Sequence, residues 1–445
     1  MSKPLGLKTS AGFAPLSRRR FLRYSACAVG VGAVSGLARA QSRIAGQKLN
    51  LGFIATGGQG AANLKELARE NIVALCDVNA KNLAAAAQQF PGAKVYQDFR
   101  KLLEQKDIEA VVISTADHTH AVVTLLAMRL GKHVYSEQPL THSIHENGVV
   151  VQAARDHKVA TQMGVSAHAA DGYRDLVEWV EAGVIGPVHE VHAWTDRPLW
   201  PQGLERPPDT PALPEYLNWD LWLGPAPVRP YNPAYEPVKW RGWWDFGSGA
   251  LGDMGCHILD APFWVLNLRN PSAIEAESSG VNPETAPKWS IIRYSFPARP
   301  PHPPLKLTWY DGGRQPEPDL LELPAGQKMP VNCALLVGEK GKILIPVGAA
   351  PRLVPESAMK DFKTPPQTQP RSIGHYREWL EACKGGKPAG CNFDYAGPLT
   401  DLVLLGNVAL RTGKRIEWDA QNAKITNVPE AAPFLCPPYR QGWTL

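Results

Sequence analysis

No C-x-x-C pair, no internal repeat and no charge block beyond the N-terminal segment occurs in these 445 residues, and each absence removes a class of protein. Without C-x-x-C spacing the seven cysteines do not read as a zinc ribbon. Without a repeat the chain is not a solenoid or a propeller. The only basic cluster with an apolar run behind it is at the start. Ser17-Arg18-Arg19-Arg20-Phe21-Leu22-Arg23 precedes a small-residue apolar run from Ala26 to Leu37, and Ala38-Arg39-Ala40 has the form of a cleavage site. The run is shorter than the ~20 apolar residues that a spanning helix needs. Residues 1–40 therefore read as a twin-arginine signal, which predicts passage through the twin-arginine export machinery to a periplasmic or otherwise exported location.

Removing that segment takes away seven basic residues (Lys3, Lys8, Arg18, Arg19, Arg20, Arg23, Arg39) and no acidic one, so the formal charge of +5 becomes −2. A basic surface for nucleic acid is then not expected. No later run is long and apolar enough for a membrane span, and none is expected after cleavage. Apolar content of 44% and charged content of 20% are those of a globular protein, and the length suits about two to three domains. Cys383 and Cys391 flank a Gly-rich turn, and outside the cytoplasm a pairing would be permitted.

What is present begins with Leu49 to Ala61. Leu51 to Ala55 reads as a buried strand, Thr56-Gly57-Gly58-Gln59-Gly60 as a turn, and Leu64, Leu67 and Ala68 as the inner face of a helix. Glycines there let backbone amides approach a pyrophosphate at the positive end of the helix. Ala55 stands where the first glycine of G-x-G-x-x-G falls, and its methyl group is accommodated if φ stays negative. A second strand, Ile72 to Cys76, ends in Asp77, an acid placed to accept both adenosine ribose hydroxyls and to repel a 2′-phosphate. This favours NAD over NADP.

Further α/β units follow. Ala110 to Ile113 is a buried strand opening into Ser114-Thr115-Ala116-Asp117-His118-Thr119-His120, and His133 to Ser136 is another, ending at Glu137-Gln138-Pro139. Ligands in doubly wound sheets bind beyond the carboxyl ends of strands, where both polar clusters fall. Thr161 to Val165 is expected to close the sheet. The first domain is thus placed at residues 48–168 and a second at 169–445. In the second, Val188 to Thr195 reads as a strand, and further strands at Ile274 to Ser279, Ser290 to Phe296, Leu305 to Tyr310, Ala334 to Gly338 and Lys342 to Ile345 come without intervening helices and predict an antiparallel sheet. Eight of the fourteen tryptophans lie between Trp194 and Trp264, and the Pro- and Trp-rich stretch from Trp194 to Trp244 is expected to wander over a surface bordering the site. Helices return at Tyr376 to Lys384 and Leu399 to Arg411, and Arg415 to Trp418 reads as a terminal strand.

A helix beginning near Gly249 would set Asp253 and His257 four apart on one face, where the acid can orient the imidazole for proton abstraction. Neither Asp253, His257 and Asp260 nor His118 and His120 has a recognised metal-ligand spacing, and no metal is expected.

The motifs FIATGGQG, ALCDV, STADHTHA, GKHVYSEQPL, WDFGSGALGDMGCHILD and a terminal YRQGW, in this order, resemble the Gfo/Idh/MocA superfamily of glucose-fructose oxidoreductase and inositol dehydrogenase, in particular its exported bacterial branch. The resemblance implies an α/β chain: a Rossmann domain holding NAD, then an α+β domain whose open-faced sheet forms a sugar site. It implies cofactor contacts from Ala55, Gly57, Gly58, Gln59, Gly60, Asp77, Ser114, Thr115, Asp117, His118, His120, Glu137, Gln138 and Pro139. It also implies catalytic roles for His257 and Asp253. The family's E-K-P lysine is Gln138 here, an amide that exchanges hydrogen bonds but carries no charge. Because the twin-arginine route moves folded proteins with cofactors already bound, a tightly retained NAD is expected. The expected function is an oxidoreductase of a sugar, polyol or glycoside, with an NAD-dependent glycoside hydrolase as the alternative that the missing lysine and the export signal favour. Whether the chain acts alone or as a homo-oligomer is open at this level.

Overall fold

The computed structural model describes residues 47–300, 302–323 and 326–445; the expected signal at 1–40 lies outside them. Strands β1 (Asn50–Ile54), β2 (Asn71–Cys76), β3 (Lys94–Tyr96), β4 (Ala110–Ile113), β5 (His133–Ser136) and β6 (Thr161–Met163) form one parallel sheet in the order β3-β2-β1-β4-β5-β6. β4 is buried at every position, as a central strand covered by helices on both faces must be. The order reverses between β1 and β4. That switch point leaves a crevice at the carboxyl ends of the strands.

The second sheet has nine strands: β7 (Val188–Trp194), β8 (Ala273–Ser278), β9 (Ser290–Phe296), β10 (Leu305–Tyr310), β11 (Cys333–Gly338), β12 (Gly341–Pro346), β13 (Arg352–Val354), β14 (Ile416–Asp419) and β15 (Lys424–Ile425). Their order is β13-β12-β11-β7-β10-β9-β8-β14-β15, antiparallel except where β10 runs parallel to β7. Helix Phe393–Thr412 packs on β8 and on helices Ile144–His157 and Gly249–Ile258, and it belongs to one apolar core reaching both sheets. Gly406 makes this fit: a Cβ there would lie 2.1 Å from Tyr294 Oη. Helix His375–Cys383 returns to the parallel sheet, where Trp379 is fully buried against Tyr135, and Tyr376 stacks on Tyr135 at 5.6 Å.

Two expectations need correction. The expected terminal strand Arg415 to Trp418 is β14 at Ile416–Asp419, and it is not terminal, because β15 follows it. The Trp-rich stretch does not simply wander over a surface. Trp219, Tyr231, Tyr235, Trp243 and Phe246 form a separate buried cluster around a short helix, Trp219–Leu223. Its aromatic density supplies a core of its own, which outweighs the absence of periodicity. The cluster is tied to the cofactor-side loop after β2 by Ala80 N donating to Tyr216 O (2.7 Å) and Asn218 N donating to Val78 O (2.9 Å). Among the described residues all six cysteines are free, Cys383 and Cys391 included.

Candidate active site

A cavity of about 700 Å³ opens at the switch point. Its floor is the turn after β1. Helix Gln59–Glu66 has no side-chain cap, and its start at Gly57, Gly58 and Gln59 lines the cavity. Gly60 packs so closely that a Cβ would sit 2.1 Å from the Ala55 carbonyl oxygen. Ala55 itself has φ of +69°, not the negative value expected for it. Its N–H donates to Cys76 O at 2.8 Å, and holding that bond while the chain turns leaves the residue left-handed. Left-handed alanine costs roughly 1–2 kcal/mol, partly offset by the ~0.4–1 kcal/mol that glycine loses through its freer unfolded chain. Ala55→Gly is therefore expected to raise stability by about 0.5–1 kcal/mol, read as a higher midpoint in thermal or denaturant unfolding.

At the far end of β2, Asp77 lines the cavity. Its Oδ2 accepts from Thr56 N (2.8 Å) and Thr56 Oγ1 (3.2 Å), and its Oδ1 from Asn79 N (2.8 Å). The turn and the acid are thus one hydrogen-bonded unit. Ser114, Thr115, Asp117 and His118 reach the wall from the segment after β4, and Glu137 and Gln138 from that after β5. Burial pushes Asp117 and Glu137 up to about 7. Asn63, which the motifs did not single out, donates to Glu137 Oε1 (2.7 Å) and Ser114 Oγ (3.0 Å) and accepts from Tyr376 Oη (2.8 Å). Gly164 is required beside Glu137, since a Cβ would lie 2.1 Å from Oε2.

Three expected cofactor contacts stand behind the wall. Gly60 is packed on Ala55, and Pro139 and His120 hold each other. The His120 ring nitrogens lie 2.8 Å from Pro139 O and 3.0 Å from Thr115 O, so this imidazole joins the two loops instead of facing the cavity. Nor do strand residues of the second sheet line the cavity, as the open-faced sheet reading required. That side is built by the Trp-rich insertion, through Arg197, Trp200, Trp222, Trp240 and Arg241. Arg241 lies in the Pro- and Trp-rich stretch from Trp194 to Trp244, where no spacing marks it as a site residue.

Helix Gly249–Ile258 places Asp253 and His257 together on the wall. The expected acid–imidazole hydrogen bond is not made. Asp253 Oδ1 accepts from Arg241 Nε at 2.8 Å, and Arg197 Nε lies 3.8 Å from Oδ2. Two guanidinium groups outcompete a ring one turn away. His257 instead meets Gln138: the amide Nε2 lies 2.6 Å from His257 Nε2 and donates to the Asp253 backbone oxygen at 3.2 Å. A carbonyl only accepts, so the amide nitrogen, not its oxygen, faces the ring. His257 Nε2 is then an acceptor, and the ring proton is on Nδ1. Burial lowers the His257 pKa, while the charges of Asp253 and Asp260 oppose that shift. Asp260 turns the other way and accepts from Tyr395 Oη (2.5 Å), with His168 Nδ1 at 3.0 Å. Among the described residues no cluster of three or more His, Cys, Asp or Glu is arranged to hold a metal.

Residues 49–165 match the family model described as oxidoreductase family, NAD-binding Rossmann fold, and residues 188–299 match that of the same family's C-terminal alpha/beta domain. Inositol 2-dehydrogenase of Gluconacetobacter diazotrophicus is 34% identical over 152 residues, covering 33% of this chain and 45% of that protein. Levoglucosan dehydrogenase of Pseudarthrobacter phenanthrenivorans is 24% identical over 225 residues, covering 48% and 50%. The chain thus spans about half the length of the curated relatives it matches. Among solved structures, the WlbA dehydrogenase of Bordetella pertussis in complex with NADH and UDP-GlcNAcA shares the fold, with a TM-score of 0.60 at 16% identity over 84% of this chain and 99% of that one. The two family models together take in about half of the sequence, and the chain belongs to the Gfo/Idh/MocA oxidoreductase family, of which it carries both the NAD-binding Rossmann domain and the C-terminal α/β domain.

Proposed function

We propose that this protein is an NAD-dependent oxidoreductase of a sugar, polyol or glycoside, exported with its cofactor bound and tightly retained. The observation that carries the reading is His257 with Nε2 as an acceptor, on the wall of the cavity that the glycine turn also lines. The residues fit a dinucleotide: the uncapped helix N-terminus at Gly58 suits a pyrophosphate, Asp77 suits ribose hydroxyls, and the wall from Ser114 to His118 with Glu137 suits the nicotinamide half. Bound NAD supplies the hydride acceptor. A substrate hydroxyl that displaces the Gln138 N–H from His257 Nε2 delivers its proton to that nitrogen as the C–H hydride leaves. The freed amide N–H then donates to the substrate oxygen. Asp253 acts through its charge and its backbone oxygen, which anchors Gln138.

Retention has structural support of its own. Phe99 lies on the cavity wall, and Trp443 packs on it with ring centroids 6.1 Å apart. Arg440 binds the insertion through Nε to Gly224 O (2.5 Å), Nη1 to Asp220 Oδ1 (2.6 Å) and Nη2 to Asp220 O (2.8 Å). The tail therefore ties the aromatic insertion to the cavity wall at Phe99. Arg440→Ala, followed by desalting and quantification of nucleotide left on the protein, is expected to speed cofactor loss about tenfold or more.

The deciding assay uses purified protein without added NAD. Free sugars, polyols and chromogenic glycosides are supplied, and bound-cofactor absorbance and aglycone release are followed together. Reduction of the bound cofactor without bond cleavage supports the reading. Aglycone release with no net reduction would replace it with the glycoside hydrolase, which none of the relatives above suggests.

A further inference from the structure

We infer that the substrate is an acidic carbohydrate whose carboxylate is held by Arg241. This inference rests on the oxidoreductase reading and names the substrate class of the same site. Arg241 lies on the cavity wall, and its guanidinium is fixed on three sides. Nε donates to Asp253 Oδ1 (2.8 Å), the Trp240 ring centroid lies 4.4 Å from Cζ, and that of Trp200 lies 5.7 Å away. Gly247 closes on its backbone, where a Cβ would stand 2.6 Å from Arg241 Cα. Among the described residues its two terminal nitrogens have no hydrogen-bond partner. What remains is a planar edge of two N–H donors, positioned in advance, which matches a carboxylate and not a single hydroxyl.

The surrounding charge points the same way. On this part of the wall Arg197 and Arg241 face one carboxylate, Asp253, although Arg197 also pairs with Asp196. Glu236, the other acid of the insertion here, accepts from Tyr231 Oη at 3.2 Å and pairs with neither arginine. Asp117 and Glu137, which share the field of Arg241, are pushed up to about 7 by burial, so each gives it only part of a negative charge near neutral pH. The link to the reaction is short. Asp253 binds Arg241 through its carboxylate and Gln138 through its backbone oxygen, and Gln138 touches His257. Arg241 and His257 are therefore joined through Asp253 and Gln138 on one cavity wall, and one sugar acid is proposed to reach both.

The test is calorimetric binding to the holoenzyme of D-glucuronate and D-galacturonate against D-glucose and D-galactose, with bound-cofactor reduction measured in parallel. Acids are expected to bind about 10- to 100-fold more tightly than their neutral parents. Arg241→Gln is expected to bring that ratio to within about threefold, and Arg241→Lys, which keeps the charge and loses the fork, to an intermediate value. If Arg241 only braced Asp253, both classes would weaken equally and the ratio would survive, which would overturn the inference. Preference for the neutral sugars would overturn it alone. Failure of every carbohydrate to bind or to reduce the cofactor would remove the oxidoreductase reading and this inference with it.

Discussion

His257→Ala is expected to cut the rate of bound-cofactor reduction by about 10²- to 10⁴-fold while leaving the amount of bound nucleotide unchanged. The magnitude is that of a general base, and the unchanged nucleotide shows that the fold and the cradle survive. A rate within about threefold of the unsubstituted protein would remove His257 from its role. The pH profile gives a second reading. Because burial lowers the His257 pKa, the neutral ring persists below the ordinary imidazole value of about 6.5, and activity is lost only as pH falls further, through the folded value. An imidazole hydrogen-bonded to the Asp253 carboxylate would show the reverse, with an acid limb above 6.5. Glu137 and Asp117, both pushed up to about 7, also titrate on the wall, and their contributions disappear in Glu137→Gln and Asp117→Asn. A limb that survives in both variants and lies below 6.5 belongs to His257.

The second large effect is expected at Gly60. A Cβ at this position would lie 2.1 Å from Ala55 O and 2.8 Å from Ala55 C, both backbone atoms. No side chain can turn aside, so Gly60→Ala must displace the turn or the start of the helix. The expected cost is about 1–3 kcal/mol of stability, with cofactor affinity lower by about tenfold for each 1.4 kcal/mol that falls on the bound state. Gly58→Ala is the contrast: it meets nothing within 4 Å, and its strain comes only from φ of +52°. Equal nucleotide content in Gly60→Ala and the unsubstituted protein, measured after denaturation and chromatography, would show that the close approach is not what shapes the cradle.

The Rossmann half was legible because each of its signals is local. A buried strand needs a short apolar run, a tight turn needs glycine, and Asp77 follows its strand directly; β1, β2, β4 and β5 fell where their apolar runs lie. The second sheet was nearly as readable, with β9 and β10 at the expected residues. Short edge strands such as β13 and β15 were not, since two or three residues carry no periodicity. Ala55 misled because the sign of φ depends on the Cys76 carbonyl that its N–H must reach, 21 residues away.

The sequence by itself determined the residue inventory of the site: the glycine turn, Asp77, Gln138 in place of lysine, and Asp253 with His257 one helical turn apart. Only the tertiary structure decided which partners those groups take. Helical spacing puts Asp253 beside His257, but an arginine 12 residues upstream claims the carboxylate, and an amide 119 residues away claims the ring. Charged groups choose the partner that best offsets their desolvation, and that choice is made among neighbours brought together by folding, not among neighbours in the chain.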